Sequence, residues 1–499
     1  MSAGEEGGLA RWVPSGAGWA FLCAFLYLQL RLPTQDDPDV WWHLEVGAQI
    51  VRDLAVPTAD TYSFTMPAGT PWTAHEWLSE VLLHLIDRAG GLPLLLVVRS
   101  LCLAAGVALG WQHAVRYVPP RSAYLAALTL FAASHACWSA RPHIFSFLLT
   151  ALSLSLLERW RRERGGRGPW IVAALMLPWA NLHGGFAIGL GLMGLYAASA
   201  FLPGAEGPPA RERGGACAAL ALGFALACIN PQGPRLLLFP LRFMREDYTF
   251  ISEWVATSGA LSPVFVPLLL LMFLALAAAR VRPPAAAILI GLALVALSLK
   301  AIRHVQFLGF TLCFLLPEQL ASAAARVDEG LLSWRGLPPE EPERPGTSRE
   351  ESPRRWALPC LTALVVSAFS LSPAGALLGP RAARAVAPEA AVDEVMKHDP
   401  GGRTFNEYGW GGYLIWRWGA TRPVFVDGRG DMYGVEFLKQ EYLALWTAQE
   451  GWEQALARWK ITSVLVAPDA PLVAVLRRTP GWREVYQDEV AVVLVRSPG

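Results

Sequence analysis

Along most of the chain, long apolar runs alternate with short connections rich in Arg, Pro and Gly, and only the last quarter departs from that pattern. The runs lie near 17 to 32, 92 to 112, 122 to 140, 143 to 157, 169 to 183, 184 to 203, 214 to 229, 262 to 280, 283 to 299, 302 to 323 and 356 to 379. A helix crossing a bilayer upright needs roughly 20 apolar residues. Several runs are shorter, which predicts tilted spans or re-entrant ends. The expected fold is an all-α polytopic transmembrane bundle of about eleven helices with a C-terminal soluble α/β domain. In domain terms this means a bundle over 1–330 that includes a first outer loop at 33–76, a linker at 331–355, a last span at 356–380 and the α/β domain at 385–499. The first run lacks a small-residue cleavage site and continues into Arg31-Leu32-Pro33, so it reads as a retained anchor.

In the last region the apolar runs shorten to strand length: Arg403 to Tyr408, Tyr413 to Trp418, Pro423 to Asp427, Ser463 to Pro468 and Val490 to Arg496. Between them, Phe437 to Trp446 and Trp452 to Trp459 carry helical spacing, and strands alternating with helices imply a small α/β domain. Asp427-Gly428-Arg429-Gly430-Asp431 follows a strand-like run, where ligand loops of such sheets often lie. It reads either as a tight turn with an Arg/Asp pair or as part of an acceptor site. Without a G-x-G-x-x-G spacing it makes no case for a dinucleotide.

Composition agrees with lipid as the solvent. Of 499 residues 54% are hydrophobic and 17% charged, with a mean hydropathy of +0.34. The net charge of +1 says nothing for nucleic acid, and none is expected as a partner. All seven cysteines fall in apolar stretches without metal-ligand spacing and read as packing residues. Arginine placement sets the orientation. With a cytoplasmic N-terminus, Arg116 and Arg121, then Arg159 to Arg167, then Arg211 and Arg213, then Arg280 and Arg282, then Arg326 to Arg355 all fall inside. The Pro- and Glu-rich stretch Gly336 to Pro353 cannot bury enough apolar surface to fold and reads as a disordered cytoplasmic linker.

This topology sends the distinctive polar motifs to the other face: Asp36 to Gly47, Arg141 to His143, Asn181 to Gly185, Asn230 to Gly233, Ser252 to Trp254 and Lys300 to His304. Loops must be polar, but ionisable groups at membrane depth are costly and mark function by default. The richest stretch is Pro33 to Glu76, with Asp36, Asp37, Asp39, His43, Glu45, Asp53, Asp60, His75 and Glu76 among tryptophans and Tyr62. Asp37-Pro38-Asp39 reads as an Asx turn leading into a helix over Trp41 to Asp53, or as a source of a general base. Carboxylates with a nearby imidazole also suit a hard cation, so Asp37, Asp39 and His43 are candidate ligands for Mg or Mn. Downstream, His75 to Arg88 predicts a helix lying in the interface.

These residues carry a resemblance. Asp37-Pro38-Asp39-Val40-Trp41-Trp42-His43-Leu44, His75-Glu76-Trp77-Leu78, Asn181-Leu182-His183-Gly184-Gly185-Phe186, and Gly411 to Trp416 with Val424 to Arg429 resemble the motifs of a family of bacterial multi-spanning membrane proteins. More distantly, the plan is similar to the GT-C superfamily of polyprenyl-phosphate-sugar glycosyltransferases, in which the catalytic acid follows the first span in a large outer loop. The resemblance implies an inverting membrane glycosyltransferase of the bacterial inner membrane with Asp37 or Asp39 as catalytic base. The donor would be a polyprenyl-phosphate-linked sugar, and the acceptor an envelope glycan, lipid or protein. Arg141, Lys300 and Arg303 suit the phosphate, since Arg offers a bidentate fork and Lys a point charge; as span-end cations they equally suit snorkelling. His43, His75, Glu76, His143, Asn181, His183 and His304 complete the substrate-binding candidates. Asn181 and His183 equally suit a hydrogen-bonded turn beside two permissive glycines. Two other classes stay open: an envelope assembly or binding protein, and a transporter of a lipid-linked substrate. The absence of an internal repeat disfavours transport.

Overall fold

The computed structural model describes residues 16–31, 37–202, 209–240, 255, 263–335, 356–370 and 387–497. The chain divides into two compact units, one of residues 1–32, 96–240 and 248–372, the other of 33–95, 241–247 and 373–499.

The first unit is helical, and each of the eleven apolar runs carries helix. Its helices include Gly16–Arg31, Pro120–Ala133, His143–Arg162, Gly168–Leu182, Phe186–Ser199, Ala210–Ala227, Phe265–Ala278, Ala285–Lys300 and Ala357–Ser370. Trp77–Ala114 is broken at Gly90 and Gly91, where Gly91 has a φ of 63° that L side chains avoid, just ahead of Pro93. Among the described residues it is the one helix long and apolar enough to cross a bilayer unaided; six other apolar helices have 10–17 residues. The run expected as one span over 302 to 323 is bent. Ile302–Leu315 and Pro317–Trp334 meet at 77°. A π-turn at Thr311–Leu315 and the missing N–H of Pro317 interrupt the backbone ladder there.

Packing inside this unit relies on large rings and close backbones. Phe147, Trp179, Phe186, Tyr196, Phe310 and Phe314 are fully buried. A Cβ added at Gly309 would sit 2.5 Å from the Ala133 Cβ, so the segment at 306–310 lies directly on the helix Pro120–Ala133. Elsewhere large side chains such as Leu128, Leu270, Phe273, Leu274, Leu292 and Leu364 stand exposed. The arginine cluster after 158 is more than an orientation signal. Arg161 and Arg162 both donate to the buried Glu158 carboxylate, which also accepts from the Tyr196 hydroxyl at 2.9 Å. Arg162 reaches on to Glu318 at 3.0 Å and stacks over Tyr117.

The second unit joins the first outer loop to the C-terminal region. Four strands, β1 (Arg403–Asn406), β2 (Ile461–Val466), β3 (Trp482–Gln487) and β4 (Val492–Arg496), form a sheet in the order β1-β2-β4-β3. β1 runs parallel to β2, whereas β4 is antiparallel to both β2 and β3. Two expected strands are corrected. Tyr413 to Trp418 lies in a helix, Gly411–Trp418, which buries Gly411 to Ile415 and Trp418 and exposes only Trp416 and Arg417. Pro423 to Asp427 lies outside the sheet, with Val424 bridging to Ser63 of the outer loop. The strand β3 and the helices Glu389–His398 and Pro471–Leu476 had no expected counterpart. The expected linker over Gly336 to Pro353 lies outside the described residues, while 331–334 complete the helix Pro317–Trp334.

The outer loop supplies the helix Val40–Asp53, which packs on Gly411–Trp418. Trp42, Val46, Ile50, Tyr62 and Trp72 from the loop share one apolar core with Val392, Leu414, Val424, Leu465 and Val493.

Candidate functional site

In the second unit, the Asp37-Pro38-Asp39 turn has two differently used carboxylates. Asp37 Oδ1 accepts the Asp39 backbone N–H at 3.0 Å, which makes the Asx turn expected from the sequence. Asp39 occupies the N-cap of Val40–Asp53 but its side chain forms no capping bond. Its carboxylate lies against Gly428 instead: a Cβ there would fall 1.8 Å from Asp39 Oδ1. One residue before Asp39, the Pro38 carbonyl lies against Gly412, 2.6 Å from a Cβ built there.

The neighbouring loop is held by a buried ion network. Arg429 gives a bidentate pair to Asp427, with Nε and Nη2 each 2.8 Å from a carboxylate oxygen, and its Nη1 lies 2.8 Å from Asp60 Oδ1. The guanidinium also stacks over Trp72, 4.7 Å from the ring centroid, and over Tyr62. Asp427 takes a further bond from the Tyr433 hydroxyl at 2.7 Å. Burial opposes the ionised form of Asp427, but Arg429 and Tyr433 outweigh it and hold the carboxyl below the usual carboxylate range. Asp60 is tied in turn by the N–H groups of Tyr62 and Ser63 and by the Ser63 hydroxyl.

His43, His75 and Glu76 come together around one carboxylate. His43 Nε2 lies 3.8 Å from one Glu76 oxygen and His75 Nε2 lies 3.7 Å from the other. On its far side the His43 ring faces Glu80 Oε1 at 3.4 Å. Asp431 keeps solvent contact while protein crowds it, and this desolvation raises its carboxyl, opposed by His75 and Arg429. As a cation site the trio Asp37, Asp39 and His43 does not fit. Among the described residues no three His, Cys, Asp or Glu side chains assemble as metal ligands, and the His43 ring is enclosed by Glu76 and Glu80. Asp36 and Ser252 to Trp254 lie outside the described residues.

The remaining candidates belong to the first unit. His143 and His183 stand with ring centroids 6.4 Å apart. His183 Nδ1 accepts the Gly185 N–H at 2.9 Å and faces the Ser146 hydroxyl at 2.8 Å. Ser146 itself accepts from Trp179 Nε1, so its proton is directed to His183. Two donors on Nδ1 leave the ring proton on Nε2 and make that edge a hydrogen-bond donor. Asn181 bonds the Leu177 and Ile229 carbonyls, both at 2.8 Å, which is the turn role. The Ile302–His304 turn packs against Ser134–Cys137, with Cys137 Sγ 2.8 Å from Gln306 Oε1. Arg141, Arg303 and His304 are partly buried, and Lys300 is exposed.

Sequence reasoning counted Asp60 only among the acidic residues of the outer loop, gave Tyr433 and Ser146 no role, and left Asp427 to Asp431 open between a tight turn and an acceptor site. A run of acids and Arg after an apolar strand was the visible signal for the Arg429 network; for Ser146 there was none.

No protein-family model matches the chain, and no curated protein sequence matches it. Solved structures do. The apo oligosaccharyltransferase of Archaeoglobus fulgidus superposes with a TM-score of 0.53 at 13% identity, covering 90% of this chain and 69% of that one. The same enzyme tethered to an acceptor peptide gives 0.51 at 12%, covering 92% and 69%. This chain has a GT-C-like fold. ArnT from Cupriavidus metallidurans, bound to undecaprenyl phosphate, gives 0.48 at 15%, covering 96% and 98%. The GT-C-like fold places helices first and a small sheet last, in the order expected from the sequence.

Proposed function

We propose that this protein is an integral membrane glycosyltransferase that takes a sugar from a polyprenyl-phosphate donor, with Asp39 as the base. The observation that carries the reading is the position of Asp39. In a GT-C-like fold it follows the first helix, and its carboxylate is directed away from helix capping and onto the Asp427–Asp431 loop. The exposed apolar side chains of the bundle support a lipid surround, since leaving that much surface in water is costly. The N-terminus is assigned to the cytoplasm of a bacterial cell and the C-terminal domain to the outer side of its inner membrane.

In the proposed step an acceptor hydroxyl attacks the anomeric carbon. The bond from that carbon to the phosphate oxygen breaks, the polyprenyl phosphate leaves with the electron pair, and the hydroxyl proton passes to Asp39, so configuration inverts. Arg141, Lys300 and Arg303 are assigned to the phosphate, and the Nε2–H of His183 to an oxygen of the donor. No step is routed through a metal.

The protein in lipid nanodiscs, incubated with radiolabelled undecaprenyl-phosphate sugars and an envelope extract as acceptor pool, is expected to release undecaprenyl phosphate. Asp39→Asn is expected to abolish the release. Release at the wild-type rate by Asp39→Asn, or none by the wild type across the common envelope sugars, would overturn the reading.

A further inference from the structure

We propose that Gly428 is a positioning residue for Asp39: its missing Cβ leaves the space that the Asp39 carboxylate fills. The inference rests on the reading of Asp39 as base and carries it into the C-terminal domain. Gly428 is not among the glycines of positive φ, so the backbone does not require glycine at this position. Space does. A Cβ would lie 1.8 Å from Oδ1, 2.6 Å from Cγ and 3.0 Å from Oδ2 of Asp39, with those three atoms its nearest neighbours.

The residues on either side of Gly428 fix its place. Asp427 and Arg429 pair bidentately across it, and Arg429 is anchored to Asp60 of the same outer loop that carries Asp39. A second tie lies just upstream: Val424 donates to the Tyr62 carbonyl at 2.8 Å, Phe64 donates to the Val424 carbonyl, and the Thr65 hydroxyl donates to the Phe425 carbonyl. Buried ion pairs add little net stability compared with apolar packing but can fix one register among several. Here the register brings Gly428, rather than a residue with a side chain, against Asp39. The neighbouring Gly412 differs in kind, because its Cβ would strike the Pro38 backbone.

Gly428→Ala isolates the idea, since the three atoms nearest to the added methyl all belong to the end of one side chain, Asp39. The expected result is a folded protein whose kcat for transfer falls on the order of a hundredfold, as for a reacting group moved by an ångström, with donor KM unchanged. Carbodiimide labelling of Asp39, read by mass spectrometry, is expected to change at least about twofold while other carboxylates stay constant. A thermal cycle gives a readout independent of catalysis. Asp39→Ala vacates the space, so Gly428→Ala is expected to lower Tm less in that background than in the wild type. Additive Tm shifts, unchanged Asp39 labelling, or full kcat in Gly428→Ala each overturn the positioning role. A wild type without transfer activity overturns the glycosyltransferase reading instead, and the Tm cycle distinguishes the two failures.

Discussion

His183 and the pair Asp37 and Asp39 show how far single residues constrain chemistry. Because His183 Nδ1 takes two donors, an Asn at 183 can offer its amide oxygen in place of Nδ1 but lacks the Nε2–H. His183→Asn is expected to keep Tm within a few degrees and to raise donor KM. His183→Ala is expected to lose about 1–3 kcal/mol in chemical denaturation, since it strands two donors. The two aspartates should separate in the same way. Asp37→Asn preserves an acceptor for the Asp39 N–H and should cost little in Tm, whereas Asp37→Ala should cost about 1 kcal/mol. Asp39→Asn keeps the size of a side chain that forms no capping bond and should leave stability intact while transfer falls on the order of a hundredfold or more. Equal loss of transfer in Asp37→Asn and Asp39→Asn would refute the division of labour between them.

At the scale of elements, the segment 423–427 and the outer loop behave as one piece through Arg429. Arg429→Ala leaves Asp427 and Asp60 buried without their cation and is expected to destabilise by about 3–5 kcal/mol. The triple replacement Asp60→Asn, Asp427→Asn, Arg429→Met removes all three charges and should recover most of that loss. Acid should act on the same network. The folded Asp427 carboxyl titrates below its unfolded value of about 3.9, so its contribution is complete above that pH and is lost as pH falls through the folded value. Tm followed from pH 6 to pH 3 should therefore fall more steeply in the wild type than in the triple variant. Some of this was legible in the sequence. Each expected apolar run holds helix among the described residues, because run length and apolarity carry that signal together, whereas the polar part of Pro317–Trp334 beyond residue 323 had no such run. The same rule misled at Tyr413 to Trp418, a six-residue run that is equally long as a strand or as a helix buried on most sides. Arg429 with Asp60 was illegible, because nothing local marks a partner 369 positions away.

For the whole molecule, the arginine asymmetry predicts that a reporter fused after Gly499 is active only outside the cytoplasm and one inserted near Gly346 only inside. The reverse pattern would invert the assignment of every polar motif. The protein is also expected to stay with membranes through alkaline carbonate washing, which strips proteins held at the surface alone. One feature of the second unit has a bearing on how the protein is made. Thr65 bonds to Phe425, 360 residues later in the chain, and the outer loop completes its core with strands that follow. At about 5–20 residues per second the ribosome takes roughly 20 to 70 s to cover that distance. During that interval Trp42, Tyr62 and Trp72 lack the C-terminal part of their core, so the loop is expected to wait as a protease-sensitive, chaperone-accessible segment. Nascent chains arrested before residue 400 should be cut within 37–76, and chains released at full length should resist.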